Sequence, residues 1–251
     1  MRLIVNADDY GLDENRTRAI QEAFRLGAIT QTTAMANMPW FARAMNEAKD
    51  QGFINRVGLH FNLSEGTPLS DEARNCPIIC NTSGEFDKWW HHSIKTRIFL
   101  PKGARHAIAA EAKAQIERYL DCGGMMMHLD SHHHVHTDFS VATTLLPLAK
   151  HYGFRSVRMS MTIGHPMSFA KRVYKYIYNK YADSQIPFSS DEFTDFAGFI
   201  ASREKISLTS TIEIMVHPLY GRWDALDMTG PLVDSADILM IDIAKTVRLN
   251  G

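Results

Sequence analysis

Residues 2–11 have the sequence RLIVNADDYG, an apolar run that ends in polar residues. A short run of this kind predicts a buried strand of a parallel sheet. Apolar residues then recur at roughly helical spacing from Asn15 to Leu26, and Gly27 follows them, which predicts a helix and its end. A strand followed directly by a helix is the repeating unit of α/β proteins.

The same alternation continues along the chain. Further strands are predicted within 28–38, 56–66, 125–131, 155–161 and 209–218, and helices within 40–52, 104–124, 139–153, 170–182 and 235–248. Residues 70–104 and 164–205 match this alternation less well and are expected to form loop-rich excursions. No repeat, linker or low-complexity tract divides the chain. We therefore expect residues 1–251 to form one α/β domain, a length that suits a single barrel.

Composition narrows the possible functions. The chain is 45% hydrophobic and 22% charged, with a formal net charge of −1, as in an ordinary globular protein. This charge gives no case for binding nucleic acid or an anionic membrane surface, and we expect neither partner. Three cysteines without a CxxC pair favour reduced thiols. With no signal peptide or membrane span apparent, we expect a cytoplasmic protein.

Unusual polar residues stand where the predicted strands end. They are Asp8 and Asp9, His60, Asp130 and His132, Arg158, and His217. The carboxyl ends of parallel strands meet at the active site of α/β folds. Carboxylates and imidazoles are ligands for a divalent metal, so the sequence predicts a metal site at this edge of the sheet.

Each of these residues has a plainer explanation when it is considered alone. An aspartate among Asp8, Asp9 and Asp13 could cap the helix that follows. His60 could be a buried core residue, Arg158 a surface residue, and His217 a strand-end histidine before a turn. If one of the paired aspartates binds a metal, the other could act as a general base. Because all of these residues stand at predicted strand ends, a shared metal site is favoured over these separate explanations.

The stretch HLDSHHHVH, residues 128–136, contains five of the twelve histidines. An extended chain would point alternate residues to one side, and a helical turn would align His132 with His136. Both geometries place His132 and His136 on the same side. The alternative is a polar loop that happens to be rich in histidine. A catalytic metal site needs about three protein ligands and an open position, so the remaining histidines would support the ligands or contact substrate.

Two further motifs are rich in aromatic residues. Trp89, Trp90, His91 and His92 could stack on a sugar or pack a loop, and packing is favoured. The Tyr and Lys pattern of residues 172–181 is typical of an amphipathic helix with solvated charges. The sequence lacks the GxSxG motif of serine hydrolases and the P-loop and GxGxxG motifs of nucleotide-binding proteins.

The motifs NADDYG, GLHFNLSEG, HLDSHHHVH and EIMVHP stand in an order and spacing that resemble the YdjC-like carbohydrate deacetylases, which include chito-oligosaccharide deacetylases. The resemblance runs from Leu3 to about Tyr220. It implies an α/β fold, a distorted seven-stranded (β/α) barrel similar to that of polysaccharide deacetylases. It also implies one divalent metal ion, Mg²⁺ or Zn²⁺, held by Asp9, His60 and His132.

In the same resemblance Asp8 is the general base and His217 the acid that protonates the leaving amine. Asp130, His136 and Arg158 are expected to support the ligands or to contact substrate, with His136 favoured for contact. The predicted function is metal-dependent removal of N-acetyl groups from an amino sugar or short chito-oligosaccharide. A metal-dependent phosphoesterase and a non-catalytic metal- or sugar-binding protein are the alternatives. The family also suggests a homodimer.

Overall fold

The computed structural model describes residues 1–219, and these residues contain a single parallel sheet of seven strands. The strands are β1 (Arg2–Tyr10), β2 (Gln31–Ala34), β3 (Val57–Phe61), β4 (His128–Ser131), β5 (Ser156–Val157), β6 (Glu192–Asp195) and β7 (Thr211–Val216). Their order across the sheet is β5-β4-β3-β2-β1-β7-β6. The sheet curls into a half-barrel, which confirms the predicted α/β fold.

Helices follow most of the strands. They are α1 (Glu14–Arg25), α2 (Phe41–Asp50), α3 (Asp71–Arg74), α4 (Ile94–Ile98), α5 (Lys102–Asp121), α6 (Phe139–His151), α7 (Phe169–Gln185) and α8 (Phe196–Ser202). In the described part of the chain, no helix combines the length and apolarity needed to cross a bilayer. The helix predicted within 235–248 lies outside the described residues.

β1 lies in the interior of the sheet, between β2 and β7. Every residue from Leu3 to Tyr10 is buried, as expected for a central strand covered on both faces. The helix that follows begins at Asp13, whose carboxylate accepts a hydrogen bond of 2.7 Å from the backbone N–H of Arg16. The helix-capping role therefore belongs to Asp13, which leaves Asp8 and Asp9 available for the site.

The carboxyl end of β1 is irregular. Ala7 pairs with Thr32 and Tyr10 with Ala34, so three steps along β1 match two along β2. Asp9 lies within this bulge and has a left-handed backbone, with φ of 70°. A bulge re-aims the side chains of a strand. It explains how two adjacent aspartates both reach one cavity, although neighbouring residues of a regular strand point to opposite faces.

The histidine-rich stretch also turns sharply. β4 ends at Ser131, and residues His132–Thr137 form a 3₁₀ segment in which His133 and His134 have φ of 50° and 55°. The chain is therefore neither extended nor regularly helical after Ser131. As a result, His132 and His136 do not lie on the same side. Of these two residues, only His132 lines the cavity described below.

The two excursions differ in regularity. Residues 70–104 hold the short helices α3 and α4 and a 3₁₀ turn at Trp90–His92. Residues 164–205 are more regular than the sequence predicts, because α7, β6 and α8 all fall within them. β6 forms an outer strand of the sheet and pairs with β7.

Candidate active site

A cavity of about 340 Å³ opens at the carboxyl ends of the central strands. Its lining includes Asp8, Asp9, His60, Glu65, His132 and His217. Sheet register produces this convergence. Ala7 pairs with Val216, which sets Asp8 beside His217, and His60 pairs directly with Asp130. The structure therefore brings Asp8, Asp9, His60, His132 and His217 together at one edge of the sheet.

Asp9, His60 and His132 form the group best placed to hold a metal. One ligand atom from each lies within 4.8 Å of the other two. Oδ1 of Asp9 lies 3.3 Å from Nε2 of His60 and 2.8 Å from Nδ1 of His132. One carboxylate and two imidazoles at the wall of a cavity leave room for further ligands, which suits a catalytic divalent ion. The donor set therefore fits the metal that the sequence implies.

A second carboxylate holds each of the two histidines. Nδ1 of His60 donates to Oδ1 of Asp130 at 2.7 Å, which turns Nε2 toward Asp9. Nε2 of His132 donates to Oε2 of Glu65 at 2.9 Å, which turns Nδ1 toward Asp9. Such carboxylate–histidine pairs fix the ring orientation of metal ligands. Both rings therefore present one nitrogen to the same point beside Asp9.

Charge within this group is tightly balanced. Burial disfavours the charged form of all three side chains, but their mutual attraction outweighs it. Burial notwithstanding, the Asp130 carboxylate raises the pKa of His60 to about 10, and Asp9 raises the pKa of His132 to about 9. The same contacts hold the pKa of Asp9 well below its usual range. In the absence of a metal, both rings therefore favour the imidazolium form, which pairs with these carboxylates.

Arg158 lies completely buried beneath the cavity and contacts three carboxylates. Its Nη1 and Nη2 atoms donate to the two oxygens of Asp8, each at 2.7 Å. Nη2 also lies 2.7 Å from Oδ2 of Asp130, and Nε donates to Oε1 of Glu213 at 2.5 Å. A guanidinium can grip a carboxylate with two parallel bonds. Arg158 therefore fixes the orientation of Asp8 and is not a surface residue.

Two other clusters of acids and histidines have the spacing of a metal site. They are Asp8, His60 and Asp130, and His128, Asp130 and Glu213. The Arg158 guanidinium already contacts a carboxylate in each cluster. A second cation beside that fixed positive charge would be repelled. The guanidinium of Arg16 is also near Asp9, but it lies 3.7 Å from Oδ2 and is partly exposed. The group around Asp9 is thus the more favourable metal position among the described residues.

His217 follows β7 and lines the same cavity as the candidate metal ligands. Its Nε2 lies 4.0 Å from Oδ2 of Asp8, and one third of its side chain is exposed. The ring therefore reaches solvent in the cavity beside Asp8. This position suits exchange of a proton with a bound molecule.

A family model described as YdjC-like protein matches residues 2–237 of the sequence. The chain belongs to the YdjC-like family. The motifs that suggested this family are the ones that the fold brings to the cavity, at the ends of β1, β3, β4 and β7.

Members of this family with related sequences are named carbohydrate deacetylases. The protein from Geobacillus stearothermophilus is 34% identical over 224 residues, which cover 86% of this chain and 79% of the relative. The protein from Brevibacillus brevis is 32% identical, with 88% and 82% covered. A solved structure, a proposed cellobiose-phosphate cleavage protein from Enterococcus faecalis V583, superposes with a TM-score of 0.71. It is 23% identical and covers 99% of this chain and 94% of that chain, so it supports the fold alone.

The remaining predicted residues of this YdjC-like chain take different places. Asp130 lies beneath His60, as a supporting residue would. His136 is fully buried, with Nδ1 2.5 Å from Oγ of Ser131 and Nε2 3.1 Å from the carbonyl oxygen of Arg158. Burial lowers the pKa of His136 to about 3. Its position therefore favours support of the site over the contact with substrate that we expected.

Sequence reasoning missed two carboxylates of the site. Glu65 follows His60 by five residues in GLHFNLSEG, and its place on the loop after a strand end was the available signal. Glu213 lies inside the apolar run of β7, where a lone buried charge could have indicated a partner. Its partner, Arg158, is 55 residues away in sequence.

The aromatic pair Trp89 and Trp90 differs in burial. Trp90 is buried, and its indole N–H donates to the carbonyl oxygen of Leu63 at 2.9 Å. The packing explanation is therefore correct for Trp90. Trp89 is 61% exposed, and its neighbour His91 stacks on His133 with ring centroids 6.0 Å apart.

Proposed function

We propose that this protein is a metal-dependent carbohydrate deacetylase that removes the N-acetyl group from an amino sugar or a short chito-oligosaccharide. The observation that carries the proposal is the joint placement of three metal ligands, a carboxylate and an imidazole around one cavity. The names of the relatives support the reaction class. The cavity volume of about 340 Å³ lies at the small end for ligand sites, which favours one sugar unit inside it.

A divalent ion held by Asp9, His60 and His132, either Mg²⁺ or Zn²⁺, would supply Lewis-acid polarisation of the acetamide carbonyl and of a water molecule. Asp8 accepts the proton of the attacking water through the carboxylate that Arg158 orients. His217 donates a proton to the nitrogen as the C–N bond breaks, so that the product leaves as an amine. Asp8 and His217 are adjacent in register, hence both reach the same amide.

The remaining proposals concern the cellular compartment and the extent of the catalytic unit. All three cysteines, Cys76, Cys80 and Cys122, are free thiols in the structure, which is compatible with a reducing cytoplasm. We propose that residues 1–251 act as one catalytic unit, because the site draws on both ends of the described chain, from β1 to β7.

The test is acetate release from N-acetylglucosamine and chitobiose, measured before and after chelation and after metal is restored. Asp8→Asn and His217→Ala should each lower kcat strongly, since general acid–base groups contribute about 10²–10⁴-fold. Asp121→Asn, at the far end of α5, is the matched control. Acetate release that survives chelation and both substitutions would contradict the proposal, as would turnover of a phosphate ester alone.

A further inference from the structure

Two segments of the chain are strongly basic although the whole chain carries a net charge of −1. Residues 88–110 contain five Lys or Arg residues and no Asp or Glu. Residues 159–182 contain four Lys or Arg residues and again no Asp or Glu. Net charge averages over this asymmetry. The segments correspond to parts of the two excursions, for which the catalytic proposal gives no role.

α7, in the second basic segment, has two apolar faces. Tyr178 and Ala182 are buried against the body of the protein. On the opposite side Phe169, Tyr176 and Ile177 are 75%, 65% and 52% exposed. The spacing of these three residues, seven and then one apart, places them along one stripe of the helix. A packed helix needs only one apolar face, so the outer stripe requires a separate explanation.

α4, in the first basic segment, carries further exposed apolar residues close to α7. Ile94 and Ile98 on α4 and Phe99 just after it are each more than half exposed. The two helices are neighbours, because the Arg97 guanidinium lies over the ring of Tyr174 on α7, 5.9 Å from its centroid. We call residues 94–99 and 169–180 together the α4–α7 face. Exposed basic side chains accompany the apolar ones: Arg172 and Lys180 beside the stripe of α7, and Lys95 on α4.

The composition of the α4–α7 face distinguishes between possible occupants. A second copy of the chain docked across a two-fold axis would bring the same basic side chains together, and such like-charge contacts are unfavourable. Interfaces with other proteins are depleted in lysine. Bulky apolar residues flanked by lysine and arginine are instead typical of helices that lie in the boundary of an anionic bilayer.

We propose that the α4–α7 face docks on an anionic lipid bilayer. The apolar stripe of Phe169, Tyr176 and Ile177 enters the boundary between headgroups and acyl chains, and the basic residues contact the lipid phosphates. Binding is peripheral and reversible, because the stripe is short. The expectation of no membrane partner rested on the average charge, which hides this local pattern. The proposal does not depend on the deacetylase activity.

The test is co-sedimentation of the full chain with vesicles of phosphatidylcholine, alone or mixed with phosphatidylglycerol. We expect binding to the mixed vesicles only, and weaker binding at higher salt. The double variant Arg172→Gln/Lys180→Gln should partition about thirtyfold less, since each basic residue near an anionic surface contributes about fivefold. Ile177→Ser should reduce partitioning about tenfold through lost apolar burial.

Matched controls distinguish docking through the α4–α7 face from nonspecific adsorption to the vesicles. Leu208 is 80% exposed and Lys49 is an exposed residue of α2, so Leu208→Ser and Lys49→Gln should bind as the wild type does. All substituted side chains are exposed, and thermal unfolding of each variant checks that it folds. Failure of the wild type to bind mixed vesicles would overturn the proposal, as would equal losses in the controls. A dimer that Ile177→Ser dissociates, without vesicle binding, would assign the face to a second copy instead.

Discussion

Arg158 brings one positive charge into a fully buried group of three carboxylates. Removing one partner of a buried ion pair costs about 3–5 kcal/mol, because the remaining charge is left uncompensated. Arg158→Lys keeps the charge but cannot form the two parallel bonds to Asp8. We expect Arg158→Lys to lower both the free energy of unfolding and kcat, as measured by denaturant titration and acetate release. Arg155→Lys changes an exposed residue of the same segment and should alter neither the free energy of unfolding nor kcat. Wild-type values for both variants would show that the two parallel hydrogen bonds to Asp8 are dispensable.

Glu65 lines the cavity, and its carboxylate orients the ring of His132. Loss of a carboxylate that orients a metal-bound histidine typically weakens metal affinity about 10–100-fold. Glu65→Gln should therefore bind Zn²⁺ or Mn²⁺ more weakly while unfolding at nearly the same denaturant concentration, because the side chain is 46% exposed. Calorimetric titration of the metal measures the difference. Glu72→Gln, an exposed acid on α3, serves as control, and unchanged affinity in Glu65→Gln would remove Glu65 from the site.

At the scale of elements, the turn between β1 and α1 depends on a close contact at Gly11. Its φ is 81°, and a Cβ added there would lie 2.9 Å from the Cα atom of Phe41 at the start of α2. Gly52 has a similar φ of 77° but no atom within 4 Å of such a Cβ. Gly52→Ala should cost about 1–2 kcal/mol for the left-handed backbone alone. Gly11→Ala should cost more, and the excess, measured by denaturant unfolding, reports the contact; equal losses would mean that α2 moves freely aside.

The elements that the sequence predicts best are those with long, regular patterns. The run at Arg2–Tyr10 and the helical spacing of α1, α2, α5 and α6 are confirmed within a few residues. β6 was missed because Glu192–Asp195 is short and only Phe193 in it is a bulky apolar residue. The 3₁₀ segment after β4 was missed for another reason. Nothing in the local sequence predicts left-handed backbone at His133 and His134, since such conformations are imposed by the surrounding structure.

The candidate site shows the same division between local and long-range information. The meeting of Asp9, His60 and His132 at one edge could be predicted because each lies at the end of a strand, and parallel strands end together. Their assignment as the ligand set came from the family resemblance. The supporting pairs could not be predicted, because Arg158 with Asp8 and His132 with Glu65 join residues 150 and 67 positions apart. Their contacts arise only once the sheet is assembled.

In the molecule as a whole, metal binding should be coupled to the release of protons. The pKa values of about 10 for His60 and 9 for His132 mean that both rings are protonated at neutral pH without metal. Because a metal needs the neutral ring, binding at pH 7.5 should release up to two protons, and metal affinity should rise with pH. Calorimetry in two buffers of different ionisation enthalpy counts the protons. No release at pH 7.5 would mean that the rings are already neutral.

The same shifts set the stability of the metal-free protein. Both folded-state pKa values lie above the usual value of 6.5 for histidine. Their contribution to stability is therefore fully present below about pH 6.5 and is lost as pH rises through 9 to 10. Denaturant unfolding of chelated protein should show this decline, and saturating metal should oppose it at high pH. Stability that rises over this range would contradict the assigned charges.

The left-handed backbone at Asp9 limits how this position can evolve. That conformation is entered most readily by glycine, asparagine and aspartate, while metal binding requires an anionic oxygen. Glycine and asparagine meet the first requirement and lose the charge, whereas glutamate keeps the charge on a side chain poorly suited to that backbone. In a library randomised at codon 9, the most stable proteins should carry glycine, asparagine or aspartate, and full activity should be recovered with aspartate alone. The bulge thus disfavours the replacement of aspartate by glutamate, the other acidic residue, at position 9.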